Sequence, residues 1–284
     1  IIGVIIFIYF YNKKIISVLP ILLLALFNYL YPVFFNQNYL MFLDVGQGDS
    51  ILIHSKDKTM LVDTGGVMNY SMEKWQERKN RKSLTNYVTI PVLKKLGIRK
   101  IDYLVLTHGD FDHMGEALKL IKQYRVEDIY LNQGNFNLLE KNVIKKYRHV
   151  YQIREKEKIV LGNINIVQIN KEFSDENDSS SILLMCYKNK KILLTGDASK
   201  KSEEYILNKY NIGKIDVLKI GHHGSMTSTS DELLKELRPS LAIISCGKNN
   251  RFNHPHKETI DKLKEYRIKY LRTDISGTIR IDLD

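Results

Sequence analysis

Four side chains of the kinds that bind metal ions follow one predicted buried strand. The strand reads IDYLVLT (101–107), and the next six residues, HGDFDH, contain His108, Asp110, Asp112 and His113. Strand ends in layered α/β folds are where loops bring side chains together in a crevice. Two imidazoles and two carboxylates are costly to bury unless a cation lies among them. The run therefore predicts a metal site at a strand end, and a solvated acidic loop is the alternative.

Three more predicted strands end in histidine or aspartate. KILLTGD ends with Asp197, IDVLKIGHHGS contains His222 and His223, and FNHPH, which holds His254 and His256, follows the strand LAIISCG. A Gly-Asp turn is common by itself, whereas two adjacent histidines after a buried strand are unusual. One of them can bind a metal ion while the other contacts phosphate or donates a proton.

The order of the predicted elements indicates the fold. From residue 39 onward, short apolar strands come in two groups, and each group is interleaved with helices such as HKETIDKLKEY. The last two predicted strands, IKYLRT and TIRIDL, flank a turn at Ser276 and Gly277. Cys186 and Cys246 lie in apolar runs, so no disulfide framework is predicted. This order favours an α/β domain over residues 39–284, in which two sheets pack face to face with helices outside.

The first 38 residues are predicted to form a separate membrane segment. Residues 15–36 read IISVLPILLLALFNYLYPVFFN, carry no charge and match the ~20 residues needed to cross a bilayer. Residues 1–10 are apolar but short, and they predict the truncated end of an earlier helix in a longer protein. A signal peptide and a buried core helix are the alternatives. Lys13 and Lys14 precede the run, so the positive-inside rule places the following domain on the extracytoplasmic side of the cell membrane.

The chain carries a formal net charge of +11, which favours polyanionic partners such as nucleic acid, anionic lipid or cell-wall polymer. A generally lysine-rich protein is the alternative. Part of the charge lies in residues 67–86, a polar segment that predicts a long loop, here termed the basic loop. We expect it to grip the phosphate backbone of DNA without reading bases, although a solvated loop is the alternative. The residues expected to do so are Arg78, Lys79, Arg81 and Lys82.

Together these motifs resemble the signature of the metallo-β-lactamase superfamily. THGDFDH looks like the family motif His-x-His-x-Asp-His with Asp110 in place of the second histidine. Asp197 matches the bridging aspartate of the family, and Asp63 in LVDTGG matches its early structural aspartate. The histidine usually found between these motifs is missing, and ENDSS, with Asn177 and Asp178, stands in its place.

From about Phe42 to the end, the sequence is similar to the C-terminal domain of ComEC-type competence proteins, membrane channels that bring DNA into naturally transformable bacteria. LDVGQGDSILI, THGDFDH, NDSS, LLTGD, GHHGS and NHPH carry the resemblance, and Asp44 and Asp49 of the first motif are expected to be structural. The resemblance implies a four-layer αββα fold after transmembrane helices, an upstream channel portion as partner, and degradation of the DNA strand that is not imported. Phosphorylcholine esterases share the aspartate variant and have a different substrate class.

The resemblance further implies a centre of two divalent metal ions, Mn²⁺ or Zn²⁺. His108 and Asp110 are expected to hold one ion, Asp112 and His113 the other, and Asp197 to bridge them. Asp110 makes the site richer in oxygen, which shifts its preference from zinc toward manganese. A water bridging two such ions has a lowered pKa, and the resulting hydroxide would attack phosphorus in line.

Other residues are expected around this centre. His223 and His254 are expected to be outer ligands, and His222 to contact the substrate or leaving group; an exchange of roles between His222 and His223 is the alternative. Ser225 is expected to hold a flanking phosphate with help from Ser228, and ordinary turn chemistry is the alternative. The candidate catalytic residues are Asp112, Asp197 and His222. Asn177 and Asp178 are further candidates for substrate binding.

The sequence thus predicts a metal-dependent phosphodiesterase or nuclease domain of a membrane DNA-uptake protein, acting on single-stranded DNA through its backbone. One alternative is a catalytically weak module that guides DNA along a basic surface. Another is a phosphoesterase that acts on choline-bearing wall polymer. The enzyme is favoured because every acidic and histidine position of the signature is chemically competent.

Overall fold

A computed structural model describes residues 3–5, 19–34, 37–66 and 83–284 of the chain. Two compact units are distinguished by their internal contacts, Ile1–Gln37 and Asn38–Asp284. In the first unit, helix α1 spans Leu19–Phe34. Its 16 residues extend about 24 Å at 1.5 Å per residue, whereas a bilayer core is about 30 Å thick.

The predicted membrane helix was longer than α1, because it included residues 15–18 and 35–36, which lie outside the described residues. Among the residues that are described, no helix combines the length and the apolar character needed to span a membrane. The transmembrane helix therefore stays a prediction from the sequence.

The second unit contains two seven-stranded mixed sheets. In the first sheet the strands lie in the order β14-β1-β2-β3-β4-β5-β6, and in the second β13-β12-β11-β10-β9-β8-β7. The first sheet consists of β1 (Tyr39–Phe42), β2 (Ile51–Ser55), β3 (Lys58–Val62), β4 (Ile101–Leu106), β5 (Val126–Leu131), β6 (Val150–Gln152) and β14 (Ile279–Asp282). The second sheet consists of β7 (Lys158–Leu161), β8 (Ile164–Gln168), β9 (Leu183–Tyr187), β10 (Lys190–Leu194), β11 (Val217–Lys219), β12 (Leu241–Ile244) and β13 (Lys269–Arg272).

Helices follow the parallel strands of both sheets. In the first half they are α2 (Ile90–Lys95, after a π-helical turn at Thr85–Thr89), α3 (Phe111–Met114), α4 (Ala117–Gln123) and α5 (Leu138–Lys146). In the second half they are α6 (Lys200–Lys209), a 3₁₀ turn at Gly221–Gly224, α7 (Asp231–Leu237), α8 (Lys257–Glu265) and α9 (Thr273–Ser276).

Three apolar clusters show that the unit has four layers. One cluster joins the inner faces of the two sheets, with Ile53 of β2 and Met185 of β9 among its members. A second lies between the first sheet and its helices, and contains Leu104 and Leu120. A third lies between the second sheet and α6, α7 and α8. Because side chains alternate along a strand, Val105 enters the inner cluster while Leu104 and Leu106 face the helices. The predicted arrangement of two packed sheets with helices outside is confirmed.

The last two strands lie in different sheets. The sequence predicts them on either side of a turn, and the residues between them form α9. β13 pairs in parallel with β12 of the second sheet, whereas β14 pairs antiparallel with β1 of the first. The chain therefore crosses from one sheet to the other at its end, which links residues 39–42 to residues 279–282.

The parallel strands of both sheets end at one edge of the sandwich. β3, β4 and β5 run parallel in the first sheet, and β10, β11 and β12 run parallel in the second. The segments that carry the predicted ligands follow β4, β10, β11 and β12, so the fold brings all four to this edge.

Candidate metal centre

A buried carboxylate fixes the orientation of His113. Asp63 leaves β3 with a φ of +59°, and its side chain accepts hydrogen bonds from the Thr107 amide (2.8 Å) and the Thr107 hydroxyl (2.7 Å). The Nδ1 atom of His113 lies 2.8 Å from Oδ2 of Asp63. A carboxylate only accepts hydrogen bonds, so Nδ1 of His113 is the protonated nitrogen. The Nε2 atom of His113 is thereby left to face the centre of the site.

Asp197 lies between His113, which follows a strand of the first sheet, and His223, which follows a strand of the second. Its Oδ1 lies 3.2 Å from Nε2 of His113, and its Oδ2 lies 3.3 Å from Nε2 of His223. Nε2 of His223 is also 3.3 Å from Oδ2 of Asp112. On the other side of the ring, Nδ1 of His223 donates to the carbonyl of Ser245 at 2.9 Å. His113 and His223 therefore have the same arrangement, with one nitrogen held by the protein and the other directed at carboxylates.

The donor set fits a divalent cation. Asp49, His113, Asp197 and His223 each offer a ligand atom, these atoms lie within 4.8 Å of one another, and all four residues are buried. Within the described residues, Oδ1 of Asp49 and Nε2 of His108 are buried without a hydrogen-bond partner. Imidazole and carboxylate groups held from behind by hydrogen bonds are typical of metal sites. A cation among them would satisfy the atoms that the protein leaves unpaired.

The pKa shifts of the same groups reflect an excess of negative charge around them. Burial lowers the pKa of His113, but Asp197 and Asp63 raise it well above the usual value. Burial also lowers the pKa of His223, yet Asp197 and Asp112 raise it to about 9. Burial raises the pKa of Asp197, and His113 and His223 bring it well below the usual range. The carboxylates thus hold protons on both imidazoles, and a metal ion would replace those protons.

Lys219 also belongs to the site, although the sequence did not predict it. This lysine is fully buried at the end of β11. Its Nζ atom lies 2.5 Å from Oδ2 of Asp49 and 3.6 Å from Oδ1 of Asp197, and it donates to the carbonyl of Gly196 at 2.8 Å. Burial lowers the pKa of Lys219, but Asp49 and Asp197 raise it above the usual value. The available signal was a lysine between apolar residues in the predicted strand IDVLKIG.

Asp49, expected to be structural, lies among the candidate ligands. Its segment is held against α3, because the Asp49 amide donates to the carbonyl of Asp112 (3.3 Å) and the Gly65 amide donates to the carbonyl of Asp49 (2.8 Å). Gly48 has a φ of +127° and lies where a Cβ would overlap the Asp112 carbonyl. Asp44 is exposed and accepts from the Gly46 amide at 3.2 Å, as a turn residue does.

The two adjacent histidines point in different directions. His222 and His223 have φ values of +46° and +53°, so the chain turns sharply here and the neighbouring rings diverge. His223 is buried, whereas the side chain of His222 is 27% exposed, with Nε2 3.7 Å from Oδ2 of Asp197. His254 lies on the open side, its ring 5.6 Å from that of His222.

The first-sheet residues His108 and Asp110 lie beside the buried cluster. The ring of His108 is 4.1 Å from that of His113, and Nε2 of His108 lies 3.6 Å from Oδ2 of Asp110. His108 is fully buried, while the Asp110 side chain is 48% exposed. A cleft of about 250 Å³ opens over the centre, and its described lining consists of Gln47, Asp110, Asp112, Asp197, His222, His223, Arg251, Phe252 and His254.

The described lining does not include the predicted phosphate contacts Ser225 and Ser228, nor the predicted substrate-binding residues Asn177 and Asp178. Ser225 is buried, and its hydroxyl accepts from the Thr227 hydroxyl at 3.0 Å. Ser228 donates to the Gly221 carbonyl at 2.7 Å, so both serines take part in turn hydrogen bonds. Asp178 is buried, and Ser199 donates to its carboxylate. Asn177 has a buried oxygen with no hydrogen-bond partner in the described structure.

The basic loop cannot be placed in the site. Residues 67–82, which include Arg78, Lys79, Arg81 and Lys82, lie outside the described residues. Their predicted contact with DNA therefore stays a prediction from the sequence.

Comparison with known proteins gives the same class of protein as the motifs. The chain is 36% identical over 263 residues to ComE operon protein 3 of Bacillus subtilis, covering 89% of this chain and 34% of the relative. It is 31% identical over 242 residues to competence protein ComA of Neisseria gonorrhoeae, covering 84% of this chain and 31% of the relative. The chain thus spans about a third of the length of these curated relatives, and the predicted similarity to competence proteins is confirmed.

The fold also has counterparts among solved structures. CmlA, a diiron beta-hydroxylase from Streptomyces venezuelae, superposes with a TM-score of 0.58 at 15% identity, covering 87% of this chain and 54% of that one. At this identity the likeness concerns the fold alone. The sequence profile of the Metallo-beta-lactamase superfamily matches residues 43–248. These residues include β2 to β12 and every candidate ligand except His254, and the chain accordingly belongs to the metallo-β-lactamase superfamily.

Proposed function

We propose that residues 39–284 form a metal-dependent phosphodiesterase that hydrolyses DNA within a membrane-bound DNA-uptake protein. The observation that carries the proposal is the convergence of His113, Asp197, His223 and Asp112 at the base of an open cleft. Similarity to a competence protein supports DNA as the substrate.

Asp197 is the residue best placed to be shared between two ions. Its two oxygens face different partners, Oδ1 toward His113 and Oδ2 toward His223. We propose that Asp112 and His113 hold one ion and that His108 and Asp110 hold the other. Bound divalent ions would activate the attacking water and neutralise the phosphate oxygens. Asp110 adds a carboxylate where most relatives are expected to have an imidazole, so Mn²⁺ is proposed as the preferred ion.

The division of roles between the adjacent histidines follows from their surroundings. His223 is buried, and its Nδ1 is committed to the Ser245 carbonyl, which leaves Nε2 as a donor to metal. His222 is partly exposed and lines the cleft. We therefore propose His223 as the ligand and His222 as the group that contacts the substrate or the leaving oxygen, with His254 as an outer ligand.

The direct test is hydrolysis of DNA by the full 284-residue chain. The chain, treated with chelator and reloaded with Mn²⁺ or Zn²⁺, is incubated with single- and double-stranded DNA. His113→Ala should abolish metal-dependent cleavage. His149→Ala is the matched control, because His149 is 63% exposed and lies beside Asp128, away from the cleft. If the metal-loaded chain cleaves neither substrate, the nuclease proposal is wrong and the DNA-guiding module is favoured.

The membrane location is a separate proposal. We propose that residues 15–35 anchor the chain and that the catalytic domain lies outside the membrane, since Lys13 and Lys14 precede the apolar run. Protease added to intact protoplasts should then release the domain. A domain that stays intact until the cells are lysed lies in the cytoplasm instead.

A further inference from the structure

We propose that Phe252, together with Arg251, forms a nucleobase-binding subsite at the mouth of the metal cleft, and that this subsite selects single-stranded substrates. The inference rests on the proposed function for the identity of the substrate. It concerns the tip of the segment between β12 and α8, which the predicted ligand set did not include beyond His254.

The tip is held in a fixed turn. The Asn253 amide donates to the Asn250 carbonyl at 3.2 Å, which closes a four-residue turn around Arg251 and Phe252. The Asn250 side chain ties the two ends together, because it accepts from the His254 amide at 2.9 Å and donates to the Gly247 carbonyl at 2.9 Å. These hydrogen bonds fix the conformation of the loop that carries Phe252.

Phe252 is an exposed aromatic ring in a polar cleft. Its side chain lines the cleft and remains 36% exposed. The ring lies nearly parallel to that of His254, with centroids 5.6 Å apart and planes 23° apart. The ring thus extends the wall that His254 forms, from the metal centre out to the solvent. An aromatic face in this position can stack with a base whose phosphate lies over the metals.

Arg251 affects which class of ligand can bind against the Phe252 ring. Its guanidinium carbon lies 4.8 Å from the centroid of Phe252. Among the described lining residues, Arg251 alone carries a permanent positive charge. A cation over the ring disfavours a quaternary ammonium group such as choline, because both would occupy the same π face. The same guanidinium suits a nucleotide better, because a base can stack on the guanidinium plane as well as on an aromatic ring.

The subsite also separates single strands from duplexes. In a duplex the bases are stacked on one another, and unstacking one costs a few kcal/mol. In a single strand the bases can splay onto protein side chains without that cost. A stacking wall next to the metals therefore favours hydrolysis of single-stranded DNA, whatever its sequence, because every base has a π face.

The experiment compares a normal and an abasic oligonucleotide. Binding of a fluorescent 12-nucleotide thymidine oligomer to the full chain is measured by anisotropy in EDTA, so that no hydrolysis occurs. The measurement is repeated with an oligomer of the same length that lacks its bases. The variants are Phe252→Ala and Phe252→Tyr. Val160→Ala is the matched control, since Val160 is 61% exposed on β7 and is not part of the cleft lining.

Phe252→Ala should weaken binding of the normal oligomer about tenfold, as expected for one stacked base, and weaken binding of the abasic oligomer much less. Phe252→Tyr keeps the ring and should restore most of the affinity, whereas Val160→Ala should match the unchanged chain. Equal losses on both oligomers, no loss on either, or no measurable binding by the unchanged chain would overturn the inference. The readout does not depend on cleavage, so a failed nuclease assay and a failed stacking test remain distinguishable.

Discussion

Replacing Asp63 by asparagine should weaken metal binding without removing any proposed ligand. Asp63 is fully buried, and its carboxylate accepts from both donors of Thr107 and from Nδ1 of His113. An asparagine has the same shape but presents one oxygen and one NH₂ group. If the oxygen keeps the Thr107 amide, the NH₂ group faces His113. The imidazole must then accept a hydrogen bond at Nδ1 and carry its proton on Nε2.

A metal ion that displaced the Nε2 proton of this variant would force a proton onto Nδ1, against the NH₂ group of the asparagine. Loss of a hydrogen-bond partner behind a metal-binding histidine typically lowers metal affinity by about 10–100-fold. That range corresponds to about 1.4–2.7 kcal/mol of binding free energy. We therefore expect Asp63→Asn to raise the dissociation constant for Mn²⁺ by about one to two orders of magnitude, measured by titration calorimetry.

Asp102→Asn is the matched control for Asp63→Asn. Asp102 is also a buried aspartate with three partners, the Thr59 amide (3.0 Å), Lys58 (2.9 Å) and Lys100 (2.8 Å). It lies near the start of β4, about 17 Å along the strand from the metal end at ~3.3 Å per residue. Asp102→Asn should lower the melting temperature in EDTA and leave Mn²⁺ affinity unchanged. If both variants lose the same metal affinity, the effect is general destabilisation and the argument about His113 is refuted.

Three other predictions concern the metal, the pH and the basic loop. Asp112→Ala should abolish metal-dependent hydrolysis, and Mn²⁺ should reactivate the chelated chain at least as well as Zn²⁺; reactivation by zinc alone would contradict the role given to Asp110. Burial lowers the pKa of His223, but Asp197 and Asp112 raise it to about 9 in the metal-free protein. Protonated His223 therefore stabilises the folded protein fully below pH ~6.5, and this stabilisation is lost as the pH rises through 9. The melting temperature in EDTA should therefore fall across that window, and a flat profile by calorimetry would disprove the assignment. Reversing the four charges predicted to grip DNA in the basic loop should flatten the salt dependence of DNA binding, by about 0.7 per lost phosphate contact on a single strand, while hydrolysis of a small phosphodiester changes little; equal losses on both substrates would indicate a structural role.

The sequence predicted the fold well where the pattern was local. The predicted strands IDYLVLT and LAIISCG contain β4 and β12, and the predicted helix HKETIDKLKEY contains α8. The separation of β13 and β14 into different sheets was not predictable. It depends on pairing of β14 with β1, more than 230 residues away, and no local feature of TIRIDL encodes that partner.

The ligand-type residues at the strand ends were predictable from the sequence, whereas the buried residues that contact them were not. Histidine and aspartate residues that follow buried strands can be recognised in the sequence. Because parallel strands end at a common edge of their sheet, these residues could be expected to lie together. Lys219 and Asp49 were not assigned to the site, because each interacts with a residue 170 positions away through geometry that only the folded sheets create. The function of a buried lysine depends on which carboxylate it meets, and spacing along the chain does not reveal that.

Lys219 offsets part of the negative charge that gathers at the candidate metal centre. The site joins strand ends of both sheets, and four buried carboxylates meet there: Asp49, Asp63, Asp112 and Asp197. Uncompensated, such a cluster would oppose packing of the two sheets. The ammonium of Lys219 supplies one positive charge at all physiological pH values, and the protons held on His113 and His223 supply two more. A divalent ion bound here would displace the protons on His113 and His223. The Nζ atom of Lys219 lies 3.6 Å from Oδ1 of Asp197, the oxygen that faces His113, so the ammonium would help to position that carboxylate for an ion.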